Sequence, residues 1–201
     1  LVVNLSYQIT CLAPFTDLPF STIGNDFTLA HNTQYKKVYT ETIDIAKRVG
    51  DKLAKSGWKG LFGIDTIYDE NDKRVYLLEI NARQPASTTF ESKLQKIVDP
   101  KGLSIFEAHI SALLNKPITQ KLVKIFAGAQ IIKRMTKEIS KIKPKINISV
   151  LRSKKFDIFD VIEYENFIHN RELLRIQSET GIIESHNKLN NLGNFIVSCI
   201  K

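Results

Sequence analysis

The chain has 201 residues, 43% of them apolar and 25% charged, and a formal charge of +8. This is the size and composition of a globular protein of one domain or two small ones. No apolar run approaches the roughly 20 residues that cross a bilayer, residues 1–10 carry no basic leader region, and two isolated cysteines, Cys11 and Cys199, match neither a disulfide framework nor a zinc motif. The expectation is a cytoplasmic protein with no membrane partner. His31, His109, His169 and His186 are scattered and read as structural or surface residues.

Residues 1–12 read as a strand. The chain opens on Leu1 inside that apolar run, so its N-terminus is expected to be a cut into a longer protein. Residues 13–31, with Pro14, Pro19 and Gly24, read as a loop or irregular strand. Residues 33–56 carry helical periodicity through Val38, Ile45, Val49 and Leu53, with Asn32 or Thr33 as cap and Gly57 past the end. Gly60–Tyr68 and Val75–Asn81 read as two strands joined by the turn cluster Asp69–Arg74, a β-hairpin. Phe90–Lys96 and Leu103–Leu114 read as helices, the second with Ile105, Phe106, His109, Ile110 and Leu113 on one face. Beyond Lys121 shorter β-like runs follow: LVKIFAGAQIIKR, INISVLR, DVIEYE, ELLRIQS and GIIES. A last helix is expected over Asn187–Ile200. The boundary falls near 117–121, giving domains 1–118 and 119–201, and residues 137–145 look like a linker.

Charge is concentrated between Gln120 and Lys155, where eleven basic residues face one acidic residue, Glu138. Such a stretch binds nucleic acid or an anionic partner, or is simply a solvated lysine-rich surface. The second reading is preferred, and a nucleic-acid-binding module is kept as the alternative.

Chemistry concentrates in the hairpin. Residues two apart on a strand share a face, so Leu77, Glu79 and Asn81 are expected together, with Arg83 continuing the series if the chain stays extended. A pairing of Tyr68 with Tyr76 sets Asp65 directly opposite Glu79, on the same face. Two carboxylates that close repel each other, and a cation between them, or one shared proton, removes the repulsion. Two carboxylates and an amide are an oxygen-only ligand set, suited to magnesium. Arg83 could hold a phosphoryl group, because a guanidinium fork matches phosphate oxygens.

At these residues, GLFGIDTIYDENDKRVYLLEINARQPAST (60–88), the sequence resembles the C-terminal hairpin of the ATP-grasp superfamily, nearest to its carboligase, biotin-carboxylase and carbamoyl-phosphate-synthetase-like members. The family pattern is an acidic residue on one strand and Glu-x-Asn-x-Arg ending the next, here Asp65, then Glu79, Asn81 and Arg83. The resemblance extends over about residues 1–135. It departs at Ala82, where proline is common, and the glycine-rich loop, phosphate-binding lysines and adenine-contacting linker of the family are not in this chain. It implies a ligase using ATP and Mg2+ (or Mn2+), joining small carboxylate and amine substrates through an acyl-phosphate. Asp65, Glu79 and Asn81 would hold metal, Asn81, Ser87 and Thr88 (with Thr89 beside them) would face ATP or another anion, and Arg83 would be catalytic. A missing N-terminal lobe of the same chain is the implied partner, the chain alone is expected to be inactive, and a homodimer is open. The fold class expected is α+β: an antiparallel sheet with packed helices as the ATP-grasp C-terminal lobe, then a smaller β-rich region.

Overall fold

The structure, a computed structural model, describes residues 1–2, 4–137, 146–153 and 157–200. Most of the linker-like stretch 137–145, and with it part of the basic window, lies outside the described residues. The chain forms two compact units, one of Leu1–Leu5 with His31–Ile125 and one of Ser6–Ala30 with Phe126–Lys201. These units differ from the division at residue 118, because Ser6–Ala30 belongs with the later half. Its two strands pair with each other, and the second of them, Thr22–Asp26, pairs with a strand of that half.

The second unit is built on a five-stranded antiparallel sheet. Strands β1 (Tyr7–Thr10), β2 (Thr22–Asp26), β5 (Ala129–Arg134), β6 (Ile158–Glu163) and β7 (Glu172–Ser178) lie in the order β1-β2-β5-β7-β6. Ile9, Ile23, Ile131, Leu174 and Ile176 are among its buried apolar residues, each 2% exposed or less. Strand β2 and the one-turn helix α1 (Phe27–Ala30) occupy the stretch expected to be a loop or irregular strand. Only Ile23 of β2 gives an apolar strand signal. The strand exists because it is paired on both edges.

Asp26, wholly buried, accepts hydrogen bonds from the N–H groups of Leu29, Ile182 and Ile183 at 2.9, 2.7 and 3.0 Å. It thus caps α1 and ties it to the start of strand β8 (Ile183–Ser185). Burial pushes its carboxyl upward, against the pull of those donors.

INISVLR, read as β-like, contains the short helix α5 (Ile148–Leu151) instead. Asn147 supplies the local reason: its side chain accepts from the N–H of Val150, a cap that competes successfully with β-branched alternation. The final helix α6 (Asn191–Cys199) starts later than expected, after strand β9 (Lys188–Leu189), and Asn190 caps it through the N–H of Gly193 at 3.0 Å.

In the first unit, helix α2 (Lys36–Lys55) follows a 3-10 turn at Thr33–Tyr35 that Asn32 caps. Its end is set by Gly57 at φ +81°: the Gly57 N–H reaches Ala54 O at 3.0 Å and the Trp58 N–H reaches Leu53 O at 2.9 Å, the paired closure that a left-handed residue permits. Strands β3 (Gly63–Asp69) and β4 (Arg74–Asn81) form the expected hairpin. Helices α3 (Thr88–Val98) and α4 (Ile105–Leu113) follow, α4 opened by a capping box in which Ser104 and Glu107 bond each other's backbone. Lys96 and the Ser104 donors hold the Glu107 carboxyl down to about 2. The apolar face read on α4 is partly open, with Phe106, Ile110 and Leu113 exposed by 44, 39 and 50%. Among the described residues no helix is long and apolar enough to cross a membrane.

Candidate active site at the β3–β4 hairpin

Asp65 stands directly opposite Glu79, with Ile64 opposite Ile80 and Gly63 opposite Asn81. Beyond Asp65 the register slips by one: Thr66 pairs with Leu77, Ile67 with Tyr76, and Tyr68 with Val75 rather than Tyr76. Leu78 is therefore the extra residue of a β-bulge, which bends the bulged strand and shifts its alternation. The expectation that Leu77 and Glu79 share a face fails for this reason. Glu79, Asn81 and Asp65 occupy one face, while Val75, Leu77 and Ile80 turn to the other, where they meet α2 residues Ile45, Val49 and Leu53. The bulge lets Leu77 and Ile80, on either side of Glu79, both face the helix across a groove while the carboxylate points away from it.

On the acidic face, the Asn81 side-chain N–H donates to Asp65 Oδ2 at 3.3 Å. Asp65 and Asn81 are half-buried and Glu79 is exposed. The structure thus brings three of the predicted residues together. Arg83 does not continue their series. Its N–H bonds Asn81 O at 2.8 Å, closing a three-residue turn about Ala82, and its side chain lies exposed just past the strand end.

The loop after Arg83 folds back over β3. A Cβ on Gly63 would stand 3.1 Å from Pro85 Cγ and 3.9 Å from Asn81 Cβ, so a residue without a side chain is what permits this approach. Thr88 is 1% exposed, and its hydroxyl donates to Pro85 O at 2.8 Å. That hydroxyl fixes the loop and is not turned to an outside anion. Ser87, at the start of α3, is half-buried and makes no capping hydrogen bond. Thr89 is exposed.

Two further residues make long-range contacts that the sequence reading did not give, His109 at the start of the hairpin and Glu91 on α3. His109 Nδ1 accepts from the N–H of Leu61 at 3.0 Å, and the backbone at Gly60, with φ +98°, passes so near that a Cβ would lie 2.7 Å from the same ring nitrogen. Glu91, 7% exposed on α3, accepts from Asn4 Nδ2 at 2.7 Å. Burial pushes its carboxyl up to about 7. A buried acid inside a helix gives no local pattern; only its long-range partner reveals it.

Among the described residues no group of three or more His, Cys, Asp or Glu could hold a metal ion. The hairpin instead offers two carboxylates and a carboxamide, oxygen donors of the hard kind that magnesium takes. Several described members of the basic window are structural. Lys133 is buried and donates to Pro14 O, while the Arg134 guanidinium donates to Thr22 O and Asn170 O and that of Arg152 to Val161 O.

No protein-family model matches the chain, and no curated protein does. Solved structures do. A carboxyaminoimidazole ribonucleotide synthase from Aspergillus clavatus complexed with ATP matches at 18% identity and TM-score 0.54, over 79% of this chain and 38% of that one. An N5-carboxyaminoimidazole synthetase from Staphylococcus aureus matches in its complex with ADP at 13% identity and TM-score 0.54, over 88% of this chain and 40% of its own. A second structure of the S. aureus enzyme matches at 14% identity and TM-score 0.52, over 88% of this chain and 41% of its own. This chain has an ATP-grasp fold. It is the fold of the C-terminal lobe of those enzymes, as the hairpin motif implied. At these identities the likeness is one of fold, and the chain spans about two fifths of the length of the ATP-grasp structures it matches.

Proposed function

We propose that this chain supplies the magnesium- and phosphate-holding part of an ATP-dependent ligase that joins a carboxylate to an amine. The observation that carries the reading is the pairing of Asp65 with Glu79, with the Asn81 amide turned onto Asp65. Carboxylates directly across a strand pair destabilise it unless something offsets their repulsion. One neutral amide does so only in part, and the remaining oxygens are suited to a divalent cation. The ATP-grasp fold, found in solved structures that hold ATP and ADP, supports the same assignment.

In this reading Asp65 and Glu79 hold the metal, and the Asn81 side-chain oxygen, left free by the bond its nitrogen makes, completes the set. Bound magnesium, or manganese in its place, neutralises charge on the ATP phosphates. Arg83, exposed beyond the end of β4, holds the transferring phosphoryl group through its guanidinium fork. Ser87 sits where the loop meets α3 and offers a hydroxyl to the same anion. Thr88 acts indirectly, by fixing the loop through Pro85. The substrate carboxylate attacks the γ-phosphorus and the bond to ADP breaks. The amine then attacks the acyl carbon and phosphate leaves. Positioning and charge neutralisation are the protein's contribution to both steps. The other half of the nucleotide site is contributed from outside these 201 residues.

The test uses the enzyme that contains this chain. Phosphate release from ATP should require magnesium and the carboxylate substrate, and Glu79→Gln should lower it by roughly 100-fold or more, as expected when a charge-stabilising group is lost. Unchanged release in Glu79→Gln and Asp65→Asn would refute the assignment.

A further inference from the structure

On the face of the hairpin opposite Asp65 and Glu79 there is a groove of about 510 Å³ between α2 and β4. Ile45, Val49 and Leu53 form its helical wall, and Val75, Tyr76, Leu77 and Ile80 its strand wall, the Tyr76 hydroxyl being engaged with Asp72 outside the groove lining. Leu77 and Ile80 remain 40 and 46% exposed, so the groove is open and its apolar lining is wet. Its size lies within the range of small-molecule sites, as does the mixture of a largely apolar lining with a few polar groups.

The polar groups are of one sign. Arg48 and Lys52, one turn apart on α2, both line the groove, and no acidic side chain does. Both are exposed, and among the described residues neither makes an ion pair or a side-chain hydrogen bond. Of the carboxylates on α2, Asp44 pairs with Lys47 and Glu41 with Lys37, and Asp51 is exposed but does not line the groove. The Ser56 hydroxyl, also at the groove, is turned back onto Lys52 O.

The geometry points to a binding site for a small amphipathic anion, with an aliphatic body laid along Val49, Leu77 and Ile80 and a carboxylate head between Arg48 and Lys52. Burying such a body removes apolar surface from water on both partners, and two adjacent cations with no acidic neighbour in the groove select the charge of the head. A neutral ligand of the same shape gains only the first term. The site is independent of the proposed metal site, since Glu79 and Ile80 are consecutive residues pointing to opposite faces.

The probe is octanoate, with 1-octanol as its uncharged counterpart, titrated into the chain carrying labelled methyl groups and followed by NMR. Saturable shifts are expected at the methyls of Ile45, Val49, Leu77 and Ile80, with octanoate about tenfold tighter than octanol, the preference of one charge-assisted contact. Arg48→Gln combined with Lys52→Gln, both at exposed positions, should remove that preference and leave octanol binding unchanged. Leu77→Ser should weaken both ligands together. The proposal is overturned if octanol binds as tightly as octanoate, if the double variant keeps the preference, if the shifts fall on other methyls, or if neither ligand saturates.

Discussion

Replacing Glu91 by Gln should change how the stability of the chain depends on pH. Glu91 is 7% exposed and accepts one hydrogen bond, 2.7 Å from Asn4 Nδ2, with no cation paired to it among the described residues. Its carboxyl is raised from 4.5 to about 7, chiefly by burial. Between those two values the folded chain keeps a proton that the unfolded chain has released. The group's favourable contribution is therefore complete below about pH 4.5 and is lost as the pH rises through 7. At the usual conversion this amounts to about 3 kcal/mol between pH 4.5 and pH 8.5. A glutamine has nearly the same shape, can accept the same bond from Asn4, and does not titrate. Urea denaturation of both proteins at pH 5, 6, 7 and 8.5 should thus show the variant gaining on the parent as the pH rises, with most of the gain between pH 5 and 7. Taking the difference between the two proteins cancels groups that titrate alike in both. A difference that stays constant over this range, or that moves in favour of Glu91 with rising pH, would refute the reasoning.

Other expectations follow from the same geometry. Ser104→Ala removes one half of the capping box at α4 and should cost about 1 kcal/mol, read as a lower urea midpoint with an unchanged slope. Glu107 contributes through the depressed carboxyl that Lys96 and Ser104 hold at about 2; its contribution is present above its ordinary value of 4.5 and lost as the pH falls from there through 2. Glu107→Gln should therefore flatten the acid limb of the stability profile, measured by circular dichroism. Gly63→Ala puts a methyl against Pro85 and should cost about 1–2 kcal/mol, with manganese binding weakened in proportion as the loop beside Asn81 shifts. Asn81→Ala should weaken manganese binding by about tenfold, a loss of the size seen when a ligand-orienting group is removed, whereas Asn71→Ala in the hairpin turn should leave it unchanged; equal affinities in the two would remove Asn81 from the site.

The hairpin was legible because its chemistry is local. The strands and the turn follow from alternation and a short connection, and a capping residue such as Asn32 acts within one turn of chain; the Asp65–Glu79 pairing, by contrast, needs the bulge, because the register at the turn alone would set Asp65 opposite Leu78. The bulge at Leu78 was not legible: nothing in VYLLEIN marks which leucine is extra. It is settled by α2, which takes Val75, Leu77 and Ile80 together, although simple alternation cannot put Leu77 and Ile80 on one side. Strand β2 was missed because its support comes from β1 and β5, the latter about a hundred residues away.

From the order of its residues alone, this protein declares a β-hairpin that carries Asp65, Glu79, Asn81 and Arg83 and resembles that of the ATP-grasp superfamily, since strand alternation and turn signals act over a few residues. Only the folded chain decides that Ser6–Ala30 joins the later half, that Arg83 leaves the strand through a turn, that Thr88 looks inward, and that Glu91 holds a proton near neutral pH. Each of these depends on which distant group comes within hydrogen-bonding reach or shuts out water, and that is a property of packing.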